Sequence, residues 1–557
     1  MLLRLTTRAA RQCSSPAHTT TRCWKSTAAA LGDDGPILLP SPYGEGGGVR
    51  EASPTYPAPT YGPLATADQY VNSLRGRGLS VFLMGEKVEE FVDHPIVKPS
   101  INSMAESYRL AEASPEVATA VSPLIGGRVH RFTHVCGSAE DVVAQNFMQR
   151  KMGQLTGTCF QRCVGQDAIN STWTVTHRID EASGGATKYH ERFQDFVSHV
   201  QAYNLVVGGA MTDPKGDRSK PPHQQEDADL FVRVVERRDG GVVLRGAKVH
   251  QTGTLNSHWM VVMPGQRLSE ADADYAVVAA VPVDAPGLSF VLGRQSCDTR
   301  SLEESGVDVG NAEYGGQEVT VIFDDVFVPN ERVFMDGEAD FAADLVERFT
   351  AYHRRSYVCK AGLGDVLIGA AAELADMNGV AKASHIKDKL VEMTHLNETI
   401  WGMGFAASKA AQPTSAGNYE PDVMLANVCK HHVTRFPYEI ARLAQDLAGG
   451  VMVTMPSDDD FKHPEIGAKL TKYMANKPGV DVTERRRVLR LVENLTMGRN
   501  AVGYLTESMH GAGSPAAQRV VIQKLAKMEE KRGFARRLAG CGGCTGCGVE
   551  EEPQRTK

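Results

Sequence analysis

The 557-residue sequence lacks three features that would narrow its class at once. No stretch approaches the roughly 20 apolar residues of a membrane-spanning helix, so we expect a soluble protein without a membrane partner. Lysine and arginine total 60 against 67 aspartate and glutamate residues, a net charge of -7, so a basic patch for nucleic acid is not expected. No fixed-period repeat is present. The length predicts two or three domains that can enclose a sizeable buried site.

The first 32 residues contain no acidic side chain and are rich in serine, threonine and alanine. Basic residues are spread through them at Arg4, Arg8, Arg11, Arg22 and Lys25. This composition is typical of a mitochondrial transit peptide, so we expect localisation to the mitochondrial matrix, with a merely disordered tail as the alternative. Residues 33–63, rich in glycine and proline, are expected to form a linker.

Eleven cysteines occur in a chain without an export signal, which argues against a disulfide framework and favours reduced thiols, some of them ligands. Three of them, Cys541, Cys544 and Cys547, are spaced Cys-x-x-Cys-x-x-Cys in a glycine-rich tail, residues 539–557. This spacing could bind metal or serve redox exchange, but no fourth ligand lies nearby in the sequence. We therefore expect a flexible tail with reactive thiols, and the main metal site elsewhere.

Two further cysteines, Cys159 and Cys163, are four residues apart, and residues four apart on a helix share one face. They can point at one metal centre, since thiolate is the usual protein donor to iron–sulfur clusters. By itself such a pair more often belongs to an apolar core, because free cysteine packs as a small hydrophobe. Far downstream, His353 and Cys359 could add an imidazole and a third thiolate to the same centre. Imidazole is the weaker donor, so its iron could exchange the histidine for a substrate oxygen.

The apolar periodicity divides the chain into three segments. From 64 to 205, apolar residues recur at helical spacing and predict an N-terminal helical domain. From 206 to 335, short β-rich runs between glycine, aspartate and proline predict a middle β-barrel or sandwich domain. From 336 to 538 the pattern predicts a C-terminal helical bundle, with long helices over 341–377, 384–411, 435–447 and 516–537. The fold class is therefore α+β. This order is typical of acyl-CoA dehydrogenase-like flavoproteins, in which FAD lies between the β domain and the bundle.

Five motifs occur in order along the chain: Cys159-Phe-Gln-Arg-Cys163, His250-Gln-Thr-Gly253, Gly315-Gly-Gln-Glu318, the run from His353 to Lys360, and Thr506-Glu-Ser-Met-His-Gly-Ala-Gly-Ser-Pro515. Through them, the segment from about 68 to 538 resembles the 4-hydroxybutyryl-CoA dehydratase/vinylacetyl-CoA Δ-isomerase family. That family is itself related to the flavin-dependent 4-hydroxyphenylacetate 3-monooxygenases. Several such motifs in the same order make a chance match improbable.

The resemblance implies FAD and a [4Fe-4S] cluster on either side of a bound acyl-CoA, in a homotetramer. It also implies four cluster ligands, Cys159, Cys163, His353 and Cys359. In the family, the histidine and the last cysteine are one residue further apart than the six found here. At 3.6 residues per turn, seven residues return to nearly the same face of a helix, whereas six do not. Either the helix carries a local irregularity or cluster binding is impaired.

The resemblance further implies positions that lie near FAD and the cluster. Thr252 is similar to the flavin contact near the reactive N5 atom, and residues 212–218, including Asp217, resemble a loop that borders the cofactor. Gly449 and Gly450 would let the backbone approach FAD closely, although Gly-Gly after a helix is more often an ordinary cap. The remaining implied positions are Arg150, Gln161, His250 and Gly253, of which Arg150 could equally form a surface ion pair.

By the same resemblance, His353 is both a cluster ligand and the candidate base for the C2 proton, once the substrate displaces it from iron. Glu318 and Glu507 are candidates for acid–base work and for binding the substrate hydroxyl, because their apolar sequence neighbours favour buried, perturbed carboxylates. Tyr357, one helical turn after His353, could hydrogen-bond the cluster-bound oxygen or simply pack in the bundle. Lys360 could polarise the substrate or donate to it, or be a solvated charge.

The resemblance therefore implies a hydro-lyase that converts 4-hydroxybutyryl-CoA to crotonyl-CoA and also has vinylacetyl-CoA Δ-isomerase activity. The C3–H bond of a 4-hydroxyacyl thioester is not acidic, so a simple base cannot break it. The resemblance implies a flavin-radical mechanism in which the cluster acts as Lewis acid towards the leaving hydroxyl. Two alternatives stay open. One is an FAD-dependent aromatic hydroxylase of the 4-hydroxyphenylacetate 3-monooxygenase type, which needs no cluster, and the other is an inactive cluster-binding redox protein.

Overall fold

The computed structural model describes residues 56–296, 303 and 306–541. The predicted transit peptide, most of the predicted linker and the cysteine-rich tail beyond Cys541 lie outside the described residues. The described ranges contain both helices and strands, as the predicted α+β class requires. None of the helices in these ranges has the length and apolar composition of a membrane span.

Helices and short strands alternate in the described chain up to residue 203. The helices are α1 (Ala67–Ser73), α2 (Lys98–Ala113), α3 (Pro115–Ala118), α4 (Ala139–Thr156), α5 (Cys163–Ala182) and α6 (Tyr189–Tyr203). The strands are β1 (Ser80–Leu83), β2 (Glu86–Val88), β3 (Thr119–Ser122) and β4 (Gly127–His130). The sequence predicted helices alone here, because runs of three or four residues are too short for an alternating pattern to be recognised.

Eight strands and the short helix α7 (Val309–Glu313) follow in the described part of the middle segment. The strands are β5 (Val207–Ala210), β6 (Arg233–Arg238), β7 (Gly241–Thr252), β8 (Trp259–Val262), β9 (Val277–Pro282), β10 (Leu288–Leu292), β11 (Glu318–Pro329) and β12 (Val333–Asp336). They form a six-stranded sheet, β2-β1-β10-β11-β7-β6, and a four-stranded sheet, β12-β9-β8-β5. The hairpin β1/β2 joins the larger sheet through parallel pairing of β1 with β10.

The chain after residue 341 is mainly helical. Its elements are α8 (Ala342–Ser356), α9 (Cys359–Met377), α10 (Ser384–Lys409), β13 (Gln412–Pro413), β14 (Tyr419–Glu420), α11 (Val423–Val433), α12 (Phe436–Ala448), α13 (Val451–Thr454), α14 (Asp458–Lys462), α15 (Gly467–Tyr473), α16 (Val482–Thr496), α17 (Arg499–Ala501), a π-helix (Val502–Thr506), α18 (Glu507–His510), α19 (Pro515–Leu525) and α20 (Met528–Leu538). The helices predicted over 384–411 and 435–447 correspond to α10 and α12. Those predicted over 341–377 and 516–537 are each divided in two.

The buried apolar residues fall into separate groups that locate the site. The largest group joins the N-terminal helices to both sheets, with the Phe196 ring in contact with those of Trp259 and Phe334. A second group lies among α9, α10, α12 and α16. A third and smaller group brings Cys163 of α5 and Cys359 of α9 together with aromatic and methionine side chains of neighbouring elements.

Candidate active site

Three buried thiols lie at the starts of helices or just before one. Cys163 begins α5, Cys359 begins α9, and Cys159 lies in the loop between α4 and α5. The prediction that Cys159 and Cys163 share a helical face is therefore wrong, because the left-handed residue Gln161 (φ 66°) turns the chain between them. Burial raises the pKa of each thiol, that of Cys359 to about 11, and Cys159 and Cys359 both raise the pKa of Cys163 further. Cys163 and Cys359 also pack in the same buried apolar group.

A break in the helix separates His353 from Cys359. α8 ends at Ser356 and α9 begins at Cys359, with Tyr357 and Val358 in a tighter turn. The amide nitrogens of Lys360 and Ala361 bond to the carbonyl oxygens three residues earlier, each at 3.0 Å, as in a 3₁₀ turn. Of the two alternatives raised by the six-residue spacing, the local irregularity is present.

His353, near the end of α8, is oriented by a carboxylate that the sequence analysis did not single out. Its Nδ1 atom lies 2.8 Å from Oδ2 of Asp167, which is fully buried on α5. Ser356 donates to the other oxygen of Asp167 at 3.0 Å, and the Arg355 guanidinium lies 3.8 Å from it. With Nδ1 engaged, Nε2 is the ring nitrogen left for a second partner. In the sequence, only its spacing could have indicated Asp167, since it lies one helical turn after Cys163.

A second carboxylate is placed by strand register. Glu318 opens β11 directly opposite Thr252, the last residue of β7, and the Thr252 hydroxyl donates to Oε2 of Glu318 at 2.7 Å. Desolvation of the carboxyl group raises the pKa of Glu318 well above its ordinary value, and the nearby charge of Glu507 raises it further. Next to this pair, a side chain on Gly253 (φ 66°) would lie 2.5 Å from Cβ of Gln161, so the turn requires glycine.

Glu507 reaches the thiols from the C-terminal helices. It follows the π-helix Val502–Thr506, an uncommon element that is frequent at functional sites. Its Oε1 lies 3.7 Å from the sulfur of Cys159, and Oε2 accepts from Lys360 at 3.4 Å. Gly503 makes this approach possible, because a Cβ there would lie 3.2 Å from the Glu507 carboxylate and 3.4 Å from Cβ of Cys159.

Lys360 is almost completely buried, so the alternative of a solvated charge is not what the structure contains. Its ammonium donates to the carbonyl of Gly503 at 2.7 Å as well as to Glu507. Burial alone would lower the pKa of Lys360, but Glu507 and the three thiols outweigh it and raise the pKa. A cation is therefore fixed beside the thiols and both carboxylates.

Comparison with known proteins identifies the family to which the chain belongs. Models of the 4-hydroxyphenylacetate 3-hydroxylase family match residues 66–335 (N terminal) and 342–540 (C terminal). The 4-hydroxybutyryl-CoA dehydratase/vinylacetyl-CoA-Δ-isomerase of Clostridium aminobutyricum is 52% identical over 86% of this chain and 99% of its own length. The chain belongs to the 4-hydroxybutyryl-CoA dehydratase/vinylacetyl-CoA isomerase family. The family predicted from the five motifs is thereby confirmed.

Solved structures agree with this membership. An oxygen-tolerant archaeal 4-hydroxybutyryl-CoA dehydratase from N. maritimus has 59% sequence identity and a TM-score of 0.85, covering 88% of this chain and 97% of its own. The oxygenase component of 4-hydroxyphenylacetate 3-monooxygenase, solved with FAD, has 22% identity and a TM-score of 0.75, covering 85% and 98%. The second comparison shows that the dehydratase family and the oxygenase share a fold.

The predicted mitochondrial localisation is contradicted by the same comparisons. The dehydratases with 52% and 59% identity come from a Clostridium and an archaeon, which lack mitochondria. The transit-peptide interpretation rested only on the composition of residues 1–32. Basic, serine-rich composition without acids is a weak signal, because it specifies no structure and arises in many untargeted termini.

Tyr357 occupies the break between α8 and α9 of the dehydratase fold. Its ring meets that of His353 edge-on with centroids 5.4 Å apart. The phenolic hydroxyl is buried and has no hydrogen-bond partner among the described residues. At Gly511 a Cβ would lie 1.8 Å from this hydroxyl, so only glycine leaves room for the ring.

Two of the predicted cofactor positions in this family member have a left-handed backbone, Gln161 and His250. The Gln161 amide is buried and donates to the carbonyls of Ser100 and Gly315 at 3.2 and 3.3 Å, so its side chain braces the turn that carries Cys159. His250 has a left-handed backbone (φ 56°). Partial desolvation lowers the pKa of His250, and the charges of Lys215 and His510 lower it further.

The other four predicted cofactor positions either pair with other side chains or lie at the surface. Arg150 pairs with Asp365 through two bonds of 2.8 and 2.9 Å and also with Glu398, which is the ion-pair alternative. Asp217 is exposed and accepts from Ser219 within its own turn. Gly449 and Gly450 are exposed at the C-terminal end of α12, with open space where a side chain would be.

Within the described ranges, no three His, Cys, Asp or Glu side chains are spaced to hold a single metal ion. The cysteines described there are free, and all but Cys541 are buried. The site of this dehydratase family member therefore combines reduced thiols, an imidazole oriented by Asp167, two further carboxylates and the Lys360 ammonium group.

Proposed function

We propose that this protein dehydrates 4-hydroxybutyryl-CoA to crotonyl-CoA and isomerises vinylacetyl-CoA. The predicted hydro-lyase with isomerase activity is supported by 52% identity to an enzyme of that name over 99% of its length. The observation that carries the proposal is the meeting of thiols, oriented imidazole and paired carboxylates in one buried site. The aromatic hydroxylase alternative has only distant support, for example 24% identity to a Geobacillus monooxygenase component.

The donor set fits a [4Fe-4S] cluster better than it fits a single ion. Each ligand of such a cluster binds a different iron, so the ligands stand further apart than around one ion. Cys159, Cys163 and Cys359 would provide the thiolates, and Nε2 of His353 the fourth donor. The bond from His353 to Asp167 is the arrangement by which carboxylates usually orient metal-binding imidazoles.

The proposal includes FAD, which would lie between the middle β domain (206–335) and the C-terminal bundle (336–538), with the N-terminal domain (64–205) completing an acyl-CoA dehydrogenase-like arrangement. Both polar atoms of the Gln317 amide, next to Glu318, are buried without hydrogen-bond partners among the described residues. The Tyr357 hydroxyl is likewise buried without a hydrogen-bond partner among these residues. Buried polar groups of this kind are normally satisfied, and a bound flavin or thioester would satisfy them.

When bound, FAD would supply one-electron chemistry and the cluster Lewis acidity, which a non-acidic C3–H bond and a poor leaving group require. His353, held at Nδ1 by Asp167, takes the C2 proton at Nε2 when that atom is not bound to the cluster, and returns it to C4, which becomes the methyl group of crotonyl-CoA. Glu318, whose raised pKa favours the protonated form, donates to the departing hydroxyl, while Thr252 holds its other oxygen. Glu507, oriented by Lys360, binds the hydroxyl or receives the second proton.

The test is an anaerobic purification followed by iron, sulfide and flavin analysis, an absorption spectrum, and assay of 4-hydroxybutyryl-CoA and vinylacetyl-CoA turnover. Cys359→Ala should lose iron and dehydration. Cys429→Ala is the matched control, because Cys429 is equally buried but bonds only to the carbonyl of Ile400 in the described structure. Iron-free wild-type protein that retains flavin would exclude the cluster. Bound iron without either turnover would instead support the inactive redox protein.

A further inference from the structure

Lys430 is a second buried lysine near the site, and no role has yet been given to it. It lies on α11 with its side chain fully enclosed. Its ammonium donates to the carbonyl of Ser508, and to that of Met509 at 3.3 Å, in the short helix that carries Glu507. An enclosed ammonium is unfavourable unless its surroundings compensate it, so this position demands specific partners.

The main remaining partner is the ring of Tyr357. The Lys430 ammonium lies 4.4 Å from the ring centroid, closer than that of Lys360 at 5.7 Å. A cation over an aromatic face is attracted by the ring electrons, and more strongly where water is excluded. Burial lowers the pKa of Lys430 to about 7 against the opposing charge of Glu507, as expected for an ammonium without a water shell.

Lys430 thus connects two parts of the site that are far apart in sequence. On one side it holds the backbone at 508–509, and on the other it faces Tyr357. The same backbone continues to Gly511, whose missing side chain accommodates the Tyr357 hydroxyl. The ring is therefore confined between the ammonium group and the backbone that the ammonium group itself fixes.

We propose that Lys430 is a positioning residue, which holds the Tyr357 ring against the 508–511 backbone so that the phenolic hydroxyl faces a bound 4-hydroxyacyl thioester. The inference rests on the proposed function. Lys430 then affects the reaction only through Tyr357, so its effect disappears when the Tyr357 hydroxyl is removed.

The experiment is a double-mutant cycle on the holoenzyme, with steady-state turnover of 4-hydroxybutyryl-CoA for wild type, Lys430→Met, Tyr357→Phe and the double variant. Lys430→Met should lower kcat on the order of 10- to 100-fold, the usual effect of a displacement of about 1 Å, with KM within about twofold. In the Tyr357→Phe background the same change should lower kcat less than about threefold, since coupled residues are not additive.

Lys430→Arg keeps the cation and should restore most of the kcat, which a purely space-filling role would not predict. If Lys430→Met does not fold, Lys430→Gln is used instead. The glutamine amide can still donate to the Ser508 and Met509 carbonyls, but the substitution leaves no positive charge beside the Tyr357 ring. If Lys430→Met lowers kcat equally in the wild-type and Tyr357→Phe backgrounds, the inference is overturned and the proposed function is unaffected. Wild-type protein with flavin and iron but no turnover would overturn the proposed function, and the inference with it.

Discussion

At the scale of single residues, the site depends on side chains whose partners are distant in sequence. His353 shows this most clearly, since its ring is held by Asp167, 186 positions away. Asp167 is in turn held by Ser356 and approached by Arg355, both on α8 with His353. The histidine is therefore aimed by α5, the helix that begins with Cys163.

Replacing Asp167 by asparagine should loosen this aim without unfolding the protein, because the amide keeps the volume of the carboxylate. Loss of such a supporting carboxylate typically weakens metal binding by about 10- to 100-fold. We expect iron to be released to a chelator correspondingly faster, which the decay of cluster absorption would measure independently of turnover.

Asp180→Asn is the control for that experiment. Asp180 also lies on α5 and accepts three hydrogen bonds, but from Thr187, Tyr189 and His190 near the opposite end of the helix. It should lower the melting temperature and leave iron release unchanged. Equal iron release from both variants would show that Asp167 supports the helix and not the histidine.

At the scale of elements, the sequence predicted the regular parts and missed the irregular ones. Periodicity found α10 and α12 because their apolar positions repeat over several turns. It did not find the break at Tyr357–Val358, since two residues in a tight turn hardly disturb a 3.6-residue pattern. The π-helix before Glu507 was not predicted either; in the structure its Gly503 lies against Cys159 and accepts from Lys360, both distant in sequence.

The same distinction applies to the site. Motifs identified the thiols and Glu507 because a family resemblance fixes positions in sequence. The sequence did not indicate a role for Asp167 or Lys430, since an acid on a helix or a lysine in a bundle is normally a surface residue. Only the fold shows that both are enclosed.

Two glycine-to-alanine substitutions distinguish the effect of the tight fit around Tyr357 from the general effect of alanine on helix stability. Gly511→Ala would place a methyl group 1.8 Å from the Tyr357 hydroxyl, so the ring must move and kcat should fall by up to about 100-fold. Gly369→Ala, in an exposed part of α9 with open space around it, should raise stability by about 0.5–1 kcal/mol and leave kcat unchanged. Thermal melts and steady-state assays of both variants check this. An active Gly511→Ala variant would show that the ring has spare room.

At the scale of the whole molecule, buried histidines make stability depend on pH. Burial, aided by Arg332, lowers the pKa of His199 from 6.5 to about 4. His130 and His258 are also buried with pKa values well below the ordinary range. These rings are neutral in the folded protein, and the unfolded chain binds protons at higher pH. The contribution of His199 is complete above about pH 6.5 and is lost as the pH falls towards 4.

Removing one such ring should flatten the acid side of the stability profile. His199→Phe keeps the stacking against Tyr56 (5.2 Å between centroids) but cannot be protonated, so the loss of unfolding free energy between pH 6.5 and 4 should shrink by about 3 kcal/mol. Denaturant unfolding at several pH values measures it, with exposed His385→Gln as control. An unchanged slope for His199→Phe would assign acid sensitivity to other groups.

The reactive groups are divided between the two family regions of the chain. Cys159, Cys163, Asp167 and Glu318 come before residue 336, whereas His353, Cys359 and Glu507 come after it. A ribosome that has synthesised only the first region therefore carries two thiols with neither the third nor the imidazole. The proposed cluster could therefore be completed only after residue 359 has been synthesised and packed against the first region, and co-expressed fragments split near residue 338 should acquire iron only after they associate.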